Sequence, residues 1–415
     1  MTDRNTLLMA RIDADLDWLV AFQRDLHAHP EIGYEEHRTA AQVAEALTQL
    51  GLSVSTGLLG TDVTTVLEGA GDGPTLALRV DMDAFPIEEA EGLPWRSLNP
   101  GVSHACGHDA HTTIGVGVAR ALANDREHLR GRVKFIFQPA EERPRVDDEG
   151  EKPYLEGVRA TSAAELLVRA GILDSPPVDE VYGLHLWPWL DAGQVGIEEG
   201  PAMAGAANFT VSVFGQGSHG AAPHTGVDSI VAVAHILTLM QTIVSRQTSP
   251  GEPLVITVGT IRGGDRRNVV ADRVDITGTV RSNSAELIRE TVPRQLHAVL
   301  DGVCRALGAR YELDYYPLIL PVMNDVTLAR AAREAVGAVL GEHSVVASLD
   351  RAMTSEDFAC YSSRVPGLYL KVGCTQPGEA VIPLHNRAFR FDEEALRVGT
   401  KAMALTLAAR LTAGQ

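Results

Sequence analysis

Four short segments of the chain carry the side chains that proteins most often use to bind divalent metal ions. They contribute His104, Cys106, His108 and His111, then Glu141 and Glu142, then His185, and finally His385. Thiolate, imidazole and carboxylate groups suit zinc and related ions, and this set is large enough to hold two of them. Because one carboxylate is then left over to move protons, the pattern favours a hydrolase.

The glutamate pair is informative because of where it stands. Glu141 and Glu142 come shortly after an apolar run at residues 133–137 that is typical of a buried strand. Adjacent side chains diverge at a strand end, so one glutamate can bind metal while the other faces a water. An isolated Glu-Glu pair is more often a solvated acidic turn. Its place after a buried strand favours the functional interpretation.

Alternating helix and strand patterns must position these side chains. Helical spacing of apolar residues predicts a helix over 40–50, and short apolar runs predict strands at 75–78, at 133–137 and before His185. In open α/β sheets, ligand sites form beyond the carboxyl ends of strands, so Asp81, the glutamates and His185 fall where chemistry is expected. We predict an α/β catalytic domain with a mixed, mostly parallel sheet flanked by helices.

A different order of elements begins near residue 204. Strands are predicted at 208–214, 254–261, 274–281 and 311–315, and helices at 228–246 and 285–307. This βαββαβ order is that of a self-contained two-layer α+β domain. We therefore predict a catalytic domain of residues 1–203 and 318–415, with a helix at 326–340 and a strand at 368–372, and an inserted domain of residues 204–317.

Composition limits the classes of function. The chain has 415 residues and a net charge of -18, so nucleic acid is not an expected partner. No segment reaches the ~20 apolar residues of a membrane span, and we expect a cytoplasmic protein. The four cysteines are scattered rather than spaced as a disulfide framework, and Cys106 is the one that metal binding explains best.

Seven motifs follow one another along the chain. They are HAHPE at 27–31, RVDMDA at 79–84, HACGHD at 104–109, FQPAEE at 137–142, GSHGAAPH at 217–224, SEDF at 355–358 and LH at 384–385. In type and order they resemble the motifs of the dinuclear metal-dependent amidohydrolases. That family includes hippurate hydrolase, bacterial N-acyl-amino-acid aminoacylases and plant indole-acetyl-amino-acid hydrolases.

The resemblance implies a site for two divalent metal ions, with Zn²⁺ or Mn²⁺ the expected occupants. It implies that Cys106 bridges the two ions. His108 and His185 would complete the ligands of one ion, and Glu142 and His385 those of the other. A thiolate in contact with a divalent ion is fully deprotonated, as such a bridge requires.

The resemblance also implies roles for residues that hold no metal. Glu141 would be the general base that takes a proton from the activated water and later passes it to the leaving amine. Asp81 would orient a ligand histidine. The inserted domain would act as a lid and as the contact surface of a homodimer. Its His219 would stabilise the developing oxyanion, in its own subunit or across the dimer, while Asn268 and Arg281 would hold the substrate.

Strand alternation supports the assignment of Arg281. Apolar side chains in the strand at 274–281 occupy one face, which places Arg281 on the opposite, polar face, where a guanidinium can bind a carboxylate. A solvated surface arginine is the competing interpretation. The segment 143–159 departs from the family pattern. We expect it to be a surface loop near the mouth of the site, or an insertion without function.

These inferences predict hydrolysis of the amide bond of an N-acyl amino acid, with attack by a metal-bound hydroxide and Glu141 as general base. A dipeptidase or carboxypeptidase on the same scaffold is the alternative within hydrolases. A non-catalytic metal-binding or ligand-binding protein is the alternative outside them, because fold does not fix activity. A serine hydrolase is disfavoured, because the chain has no Gly-x-Ser-x-Gly elbow.

Overall fold

The computed structural model of the protein describes residues 2–143 and 162–412. Apart from Arg143, the segment for which we predict a surface loop lies outside the described residues. The helices are α1 Thr2–Ala14, α2 Leu16–Ala28, α3 His37–Gln49, α4 His108–Ala123, α5 Ala163–Arg169, α6 Ser229–Thr242, α7 Val292–Leu307, α8 Val326–Leu340, α9 Ala359–Ser362 and α10 Glu394–Thr412.

The strands divide into two main sheets and two short ribbons. They are β1 Val54–Thr56, β2 Val63–Glu68, β3 Gly71–Asp81, β4 Arg130–Gln138, β5 Glu180–Asp191, β6 Val195–Gly196, β7 Gly200–Met203, β8 Gly205–Phe214, β9 Ser218–His219, β10 Leu254–Gly263, β11 Val269–Val270, β12 Arg273–Ser282, β13 Arg310–Ile319, β14 Val322–Asn324, β15 Val345–Val346 and β16 Gly367–Thr375. The ribbons pair β9 with β11 and β7 with β14.

The larger sheet has eight strands in the order β1-β2-β4-β3-β5-β16-β6-β15. Its centre is parallel, because β3 pairs in parallel with β4 and β5, and β5 with β16. Successive β3 residues enter different cores: Leu76 and Leu78 pack with α4 and α10, whereas Ala77 packs on the opposite face. Burial on both faces explains why the central strands are near-continuous apolar runs.

The smaller sheet is antiparallel, in the order β10-β12-β8-β13, and together with α6 and α7 it forms what we call the four-stranded unit. Ile236 of α6 and Leu296 of α7 are fully buried against the sheet. The chain order is therefore βαββαβ, and the predicted fold class is confirmed. The boundary at 317/318 remains a prediction, and β13 runs through it to Ile319.

Two helices of this unit each include a π-helical turn. The helix predicted over 285–307 has those limits: Ala285 and Glu286 are helical, Leu287–Thr291 form a π-helical turn, and the chain is α-helical again from Val292. Pro293 directly follows the π-helical turn, and because proline has no N–H it cannot donate the intrahelical hydrogen bond of this position. The helix predicted over 228–246 similarly becomes a π-helical turn after Thr242.

The segment Ser229–Gln247 is long and apolar enough to cross a membrane by length and composition, with 19 residues and a mean hydropathy of 1.4. From the sequence we predict no membrane span, and by length and composition this segment differs from that prediction. One side of it packs on β8, β12 and α7 through Ala232, Ile236 and Met240. Of this segment 33% is buried, and Ile230, Val231 and Leu239 on its other side are exposed.

Candidate functional site

Five predicted metal ligands reach one place from four different elements. Cys106 and His108 stand on either side of the start of α4, and the intervening Gly107 has a left-handed backbone (φ 84°). Glu142 follows β4, and His385 lies in the loop between β16 and α10. The strand expected to end near His185 continues to Asp191, so this histidine projects from the middle of β5.

Distances between the side chains define the centre of the site. The Cys106 Sγ lies 3.4 Å from His185 Nε2 and 3.3 Å from His385 Nε2. The same His385 nitrogen lies 2.8 Å from Glu142 Oε1. His185 Nδ1 donates a hydrogen bond to the carbonyl of Leu186 (2.7 Å), which leaves the lone pair of Nε2 facing the cysteine.

His108 is oriented by Asp83, a carboxylate to which we assign no separate role from the sequence. Its Nδ1 lies 3.1 Å from Asp83 Oδ1 and 3.9 Å from Asp81 Oδ1. Asp81 instead accepts from His111 Nδ1 (2.6 Å), whose other nitrogen accepts from the Leu186 amide. Asp83 is therefore better placed than Asp81 to orient His108.

The residues fit a pair of cations. His108 Nε2 is buried and has no hydrogen-bond partner, as expected of a nitrogen whose lone pair serves a metal. Burial lowers the pKa of His108, but the charges of Asp81 and Asp83 outweigh it and raise the pKa to about 10, so the surroundings favour positive charge. Burial and then the charge of Glu142 raise the pKa of the Cys106 thiol well above its usual value.

Ligand atoms gather into overlapping groups, within each of which all atoms lie within 4.8 Å of one another. They include Cys106, His108 and His185; Cys106, Glu142 and His385; and His108, Glu141 and Glu142. Because Cys106 is shared by the first two groups, this geometry suits a thiolate between two ions.

Glu141 has a different environment from Glu142. Its Oε1 accepts a hydrogen bond from the Asp357 amide (3.3 Å). Burial, followed by the negative charges of Glu356 and Glu142, raises the pKa of Glu141 well above its ordinary value. A carboxyl group with a raised pKa is suited to accept and return a proton near neutral pH.

Behind Glu141 lies a fully buried ionic cluster that sequence reasoning missed. Arg79 donates to Asp81 (2.9 Å) and to Asp357 (2.6 Å), and its Nη1 lies 3.0 Å from Glu356 Oε1. The signal for it was an arginine beside the apolar run of β3, since a charge there requires a buried partner. Arg79 thereby links the carboxylate beside His111 to the segment that contacts Glu141.

The site opens into a cavity of 740 Å³ between the large sheet and the four-stranded unit. Its polar lining includes Glu141, Glu142 and Arg281, and its apolar walls include Met203, Leu318, Ile319 and Met353. Arg281 donates to the Ser355 hydroxyl, and burial lowers the pKa of Arg281. Among the described residues, no carboxylate lies within ion-pairing distance of this guanidinium.

Two predicted site residues lie elsewhere in this chain. His219 and Asn268 are both exposed and do not line the cavity. They neighbour each other in the β9/β11 ribbon, where His219 pairs with Val269 and the Gly220 amide donates to the Asn268 carbonyl (2.8 Å). The structure thus brings Arg281 to the metal ligands and leaves His219 and Asn268 on the surface of the four-stranded unit.

Known proteins resemble this chain over nearly its whole length. The model of peptidase family M20/M25/M40 matches residues 77–409. An N-acetylcysteine deacetylase of Bacillus subtilis is 35% identical over 387 residues, covering 93% of this chain and 95% of the relative. A thermostable carboxypeptidase 2 of Saccharolobus solfataricus is 33% identical over 392 residues, covering 94% of each.

A solved structure resembles the fold as well. The dinuclear metal-binding peptidase of the M20 family from Bacillus subtilis has a TM-score of 0.81 and 32% sequence identity, covering 96% of this chain and 99% of that one. The relatives are hydrolases of amide bonds. With a family match over most of the chain and a cavity lined by candidate metal ligands, the chain belongs to peptidase family M20/M25/M40.

Proposed function

We propose that the protein hydrolyses the amide bond of N-acyl amino acids. The observation that carries this proposal is Arg281: a half-buried guanidinium without a carboxylate partner among the described residues, in the same cavity as Glu141 and the metal ligands. The carboxylate of the amino acid would supply the missing charge in a bidentate pair. The B. subtilis relative named as an N-acetylcysteine deacetylase supports the same class of substrate.

Two divalent ions would be held by the two groups that share Cys106. His108 and His185 would complete one set of ligands, and Glu142 and His385 the other. When bound, such ions polarise a carbonyl and lower the pKa of water, and thiolate with imidazole suits Zn²⁺ while Mn²⁺ accepts the carboxylate. The residues around them provide orientation, because Asp83 fixes the tautomer of His108 and Leu186 that of His185.

Glu141 would carry the proton. It takes a proton from the attacking water and delivers it to the amine nitrogen as the carbon–nitrogen bond breaks, so the glutamate ends the cycle in its starting form. The amide of Asp357 holds its Oε1, and burial, followed by the negative charges of Glu356 and Glu142, raises the pKa of Glu141 and makes it a stronger base than a solvated carboxylate.

His219 would act on the site of a second copy. In its own subunit it is exposed and lies outside the cavity lining, whereas the oxyanion of an amide reaction forms inside that cavity. A homodimer formed through the four-stranded unit would bring this histidine, and Asn268 beside it, to the partner's cavity. We also retain the cytoplasm as the proposed location.

A carboxypeptidase is the second candidate, supported by the S. solfataricus relative of that name. Arg281 would bind the C-terminal carboxylate of a peptide as readily as that of an acylated amino acid. The apolar walls formed by Met203, Leu318, Ile319 and Met353 favour an acyl group without charge over a peptide with a free amino group.

A substrate panel tests both candidates. Protein loaded with Zn²⁺ or Mn²⁺ is assayed for free amino acid released from acetyl, benzoyl, long-chain and indole-acetyl conjugates, and from unblocked dipeptides. We expect acylated substrates to exceed dipeptides in kcat/KM, and Glu141→Gln to lower kcat by about 10²–10⁴-fold while metal content stays the same. Preference for unblocked dipeptides would favour the carboxypeptidase, and an active Glu141→Gln variant would contradict the assigned base.

A further inference from the structure

The turn that carries both catalytic glutamates is held by two buried carboxylates. Three successive amides, those of Ala140, Glu141 and Glu142, donate to these carboxylates. The Glu141 and Glu142 amides donate to the two oxygens of Asp83, at 3.1 Å each. The Ala140 amide donates to Glu36 Oε1 at 2.8 Å.

Glu36 is itself held firmly in place. Its side chain is fully buried, and its second oxygen accepts a hydrogen bond from the Thr61 hydroxyl at 2.7 Å. A buried carboxylate is costly unless its oxygens are hydrogen-bonded, so each of the two bonds is important to its position. Through Glu36, the Ala140 amide is therefore connected to Thr61, in the segment that precedes β2.

The backbone of Ala140 needs such an anchor. Its φ is +53°, a left-handed conformation that costs a residue with a Cβ about 1–2 kcal/mol and persists only where its surroundings enforce it. The segment that contains Glu36 also packs directly on this turn. A Cβ added at Gly33 would lie 2.9 Å from the Cα of Ala140, so the two backbones approach as closely as a glycine allows.

This conformation determines where the two glutamates go. With Ala140 left-handed, Glu142 reaches His385 Nε2 (2.8 Å) while Glu141 reaches the Asp357 amide (3.3 Å). We propose that Glu36 is a positioning residue for the reaction: its hydrogen bond to Ala140 fixes the turn that separates the base from the metal ligand. The proposal rests on the function proposed above for Glu141.

Two variants of Glu36 test it. Glu36→Ala removes the acceptor for the Ala140 amide, and we expect kcat to fall by about 10–100-fold with KM within threefold, since a misplacement near 1 Å can cost 10² in rate. Glu36→Gln keeps an oxygen at that position and should recover most of kcat. Unchanged kcat in Glu36→Ala, or a glutamine variant as impaired as the alanine one, would overturn the proposal.

Glu31 provides the matched control. It lies in the same segment, but its carboxylate accepts from the amides of Arg38 (3.0 Å) and Thr39 (2.8 Å) and so caps α3 rather than the catalytic turn. Glu31→Ala should lower the melting temperature and leave kcat unchanged. An equal loss of kcat in both alanine variants would show that Glu36 acts only through stability.

Two further measurements keep the inference testable. If Glu36→Ala does not fold, Thr61→Val removes only the bond that fixes Glu36, and we expect a several-fold loss of kcat; no loss would count against the proposal. A crystal structure of Glu36→Gln and of the best-folded impaired variant shows the φ of Ala140 directly. That structural result tests the positioning role independently of the substrate. If the wild-type protein is inactive on N-acyl amino acids, the proposed function is refuted instead.

Discussion

At the scale of residues, two chemically identical neighbours have different surroundings. Glu142 lies against His385 beside Cys106, whereas Glu141 is held by the amide of Asp357, near Glu356. Such a division is what permits one carboxylate to bind metal and the other to move protons. The division depends on the conformation of a single residue, Ala140.

Arg281 is the residue whose removal should separate binding from chemistry. Arg281→Ala is expected to raise KM for N-acyl amino acids by about 10–100-fold, because hydrogen bonds to charged groups contribute about 1.5–3 kcal/mol. Initial rates should also be measured on substrates whose carboxylate is replaced by a carboxamide. On those substrates the wild-type protein and Arg281→Ala should have similar initial rates.

Arg273 lies on the same strand, β12, and offers a control. It is exposed and pairs with Asp275 (2.9 Å). Arg273→Ala should leave both kcat and KM unchanged. Arg281 does not bind the carboxylate if Arg281→Ala and Arg273→Ala have the same kcat and KM. The same conclusion follows if Arg281→Ala prefers the carboxylate substrate over the carboxamide as strongly as the wild-type protein does.

At the scale of elements, the start of α4 places Cys106 and His108 in one cavity. Gly107 has φ +84°, and a Cβ there would lie 2.9 Å from Leu186 Cδ1. We expect Gly107→Ala to lower the free energy of unfolding by about 2–4 kcal/mol, from left-handed strain and from overpacking, and to weaken metal binding. Chemical denaturation and metal titration measure the two effects.

Gly101 provides a control that separates the left-handed strain from the overpacking. Its φ of +78° is similar, but a Cβ there meets nothing within 4 Å. Gly101→Ala should therefore cost only the left-handed strain, about 1–2 kcal/mol, and leave metal affinity intact. Equal losses of unfolding free energy in Gly107→Ala and Gly101→Ala would mean that the Leu186 side chain moves aside without an energetic cost.

Elements with strong local signals were predictable from the sequence. The helix predicted over 326–340 is α8, because Asp325 caps its start by accepting from the Thr327 (2.8 Å) and Leu328 (3.0 Å) amides, and Gly341 follows its end. Side-chain partners across the sheet were less predictable from the sequence. That Asp83 rather than Asp81 faces His108 depends on how β3 and α4 meet, which periodicity does not specify.

The same limit applies to His219 and Asn268. Motif resemblance named both residues, and the ribbon of β9 and β11 places them side by side, yet outside the cavity of their own chain. Local pattern indicates which residues belong to a motif. It does not indicate which copy of the chain they would serve, because that depends on an association between molecules.

At the scale of the whole molecule, mixing inactive variants tests that association. His219→Ala and Glu141→Gln should each be nearly inactive alone. If His219 serves the partner's site in a two-fold dimer, subunit exchange should restore about a quarter of wild-type specific activity, since half the dimers are mixed and each mixed dimer has one intact site. Activity is measured after re-equilibration of equal amounts.

A pair from a single site provides the comparison. Glu141→Gln and Glu142→Gln alter the same cavity, so each site in their mixed dimers still lacks one glutamate, and no activity should return. Failure of the His219 mixture to recover, with exchange confirmed by mass measurement, would place His219 in its own subunit's reaction or outside the reaction altogether.

The bond between His385 and Glu142 joins residues 243 positions apart, and that between His385 and Cys106 joins residues 279 apart. A nascent chain that has completed β4, α4 and β5 still lacks a member of one of the two metal groups. The loop bearing His385 is held beside the start of α4 by the His385 amide, which donates to the Ala105 carbonyl at 2.8 Å. Contacts of such long range form late in folding. Two-metal loading therefore has to follow synthesis of the loop that carries His385, and a chain truncated before residue 385 would lack a ligand of the second metal group.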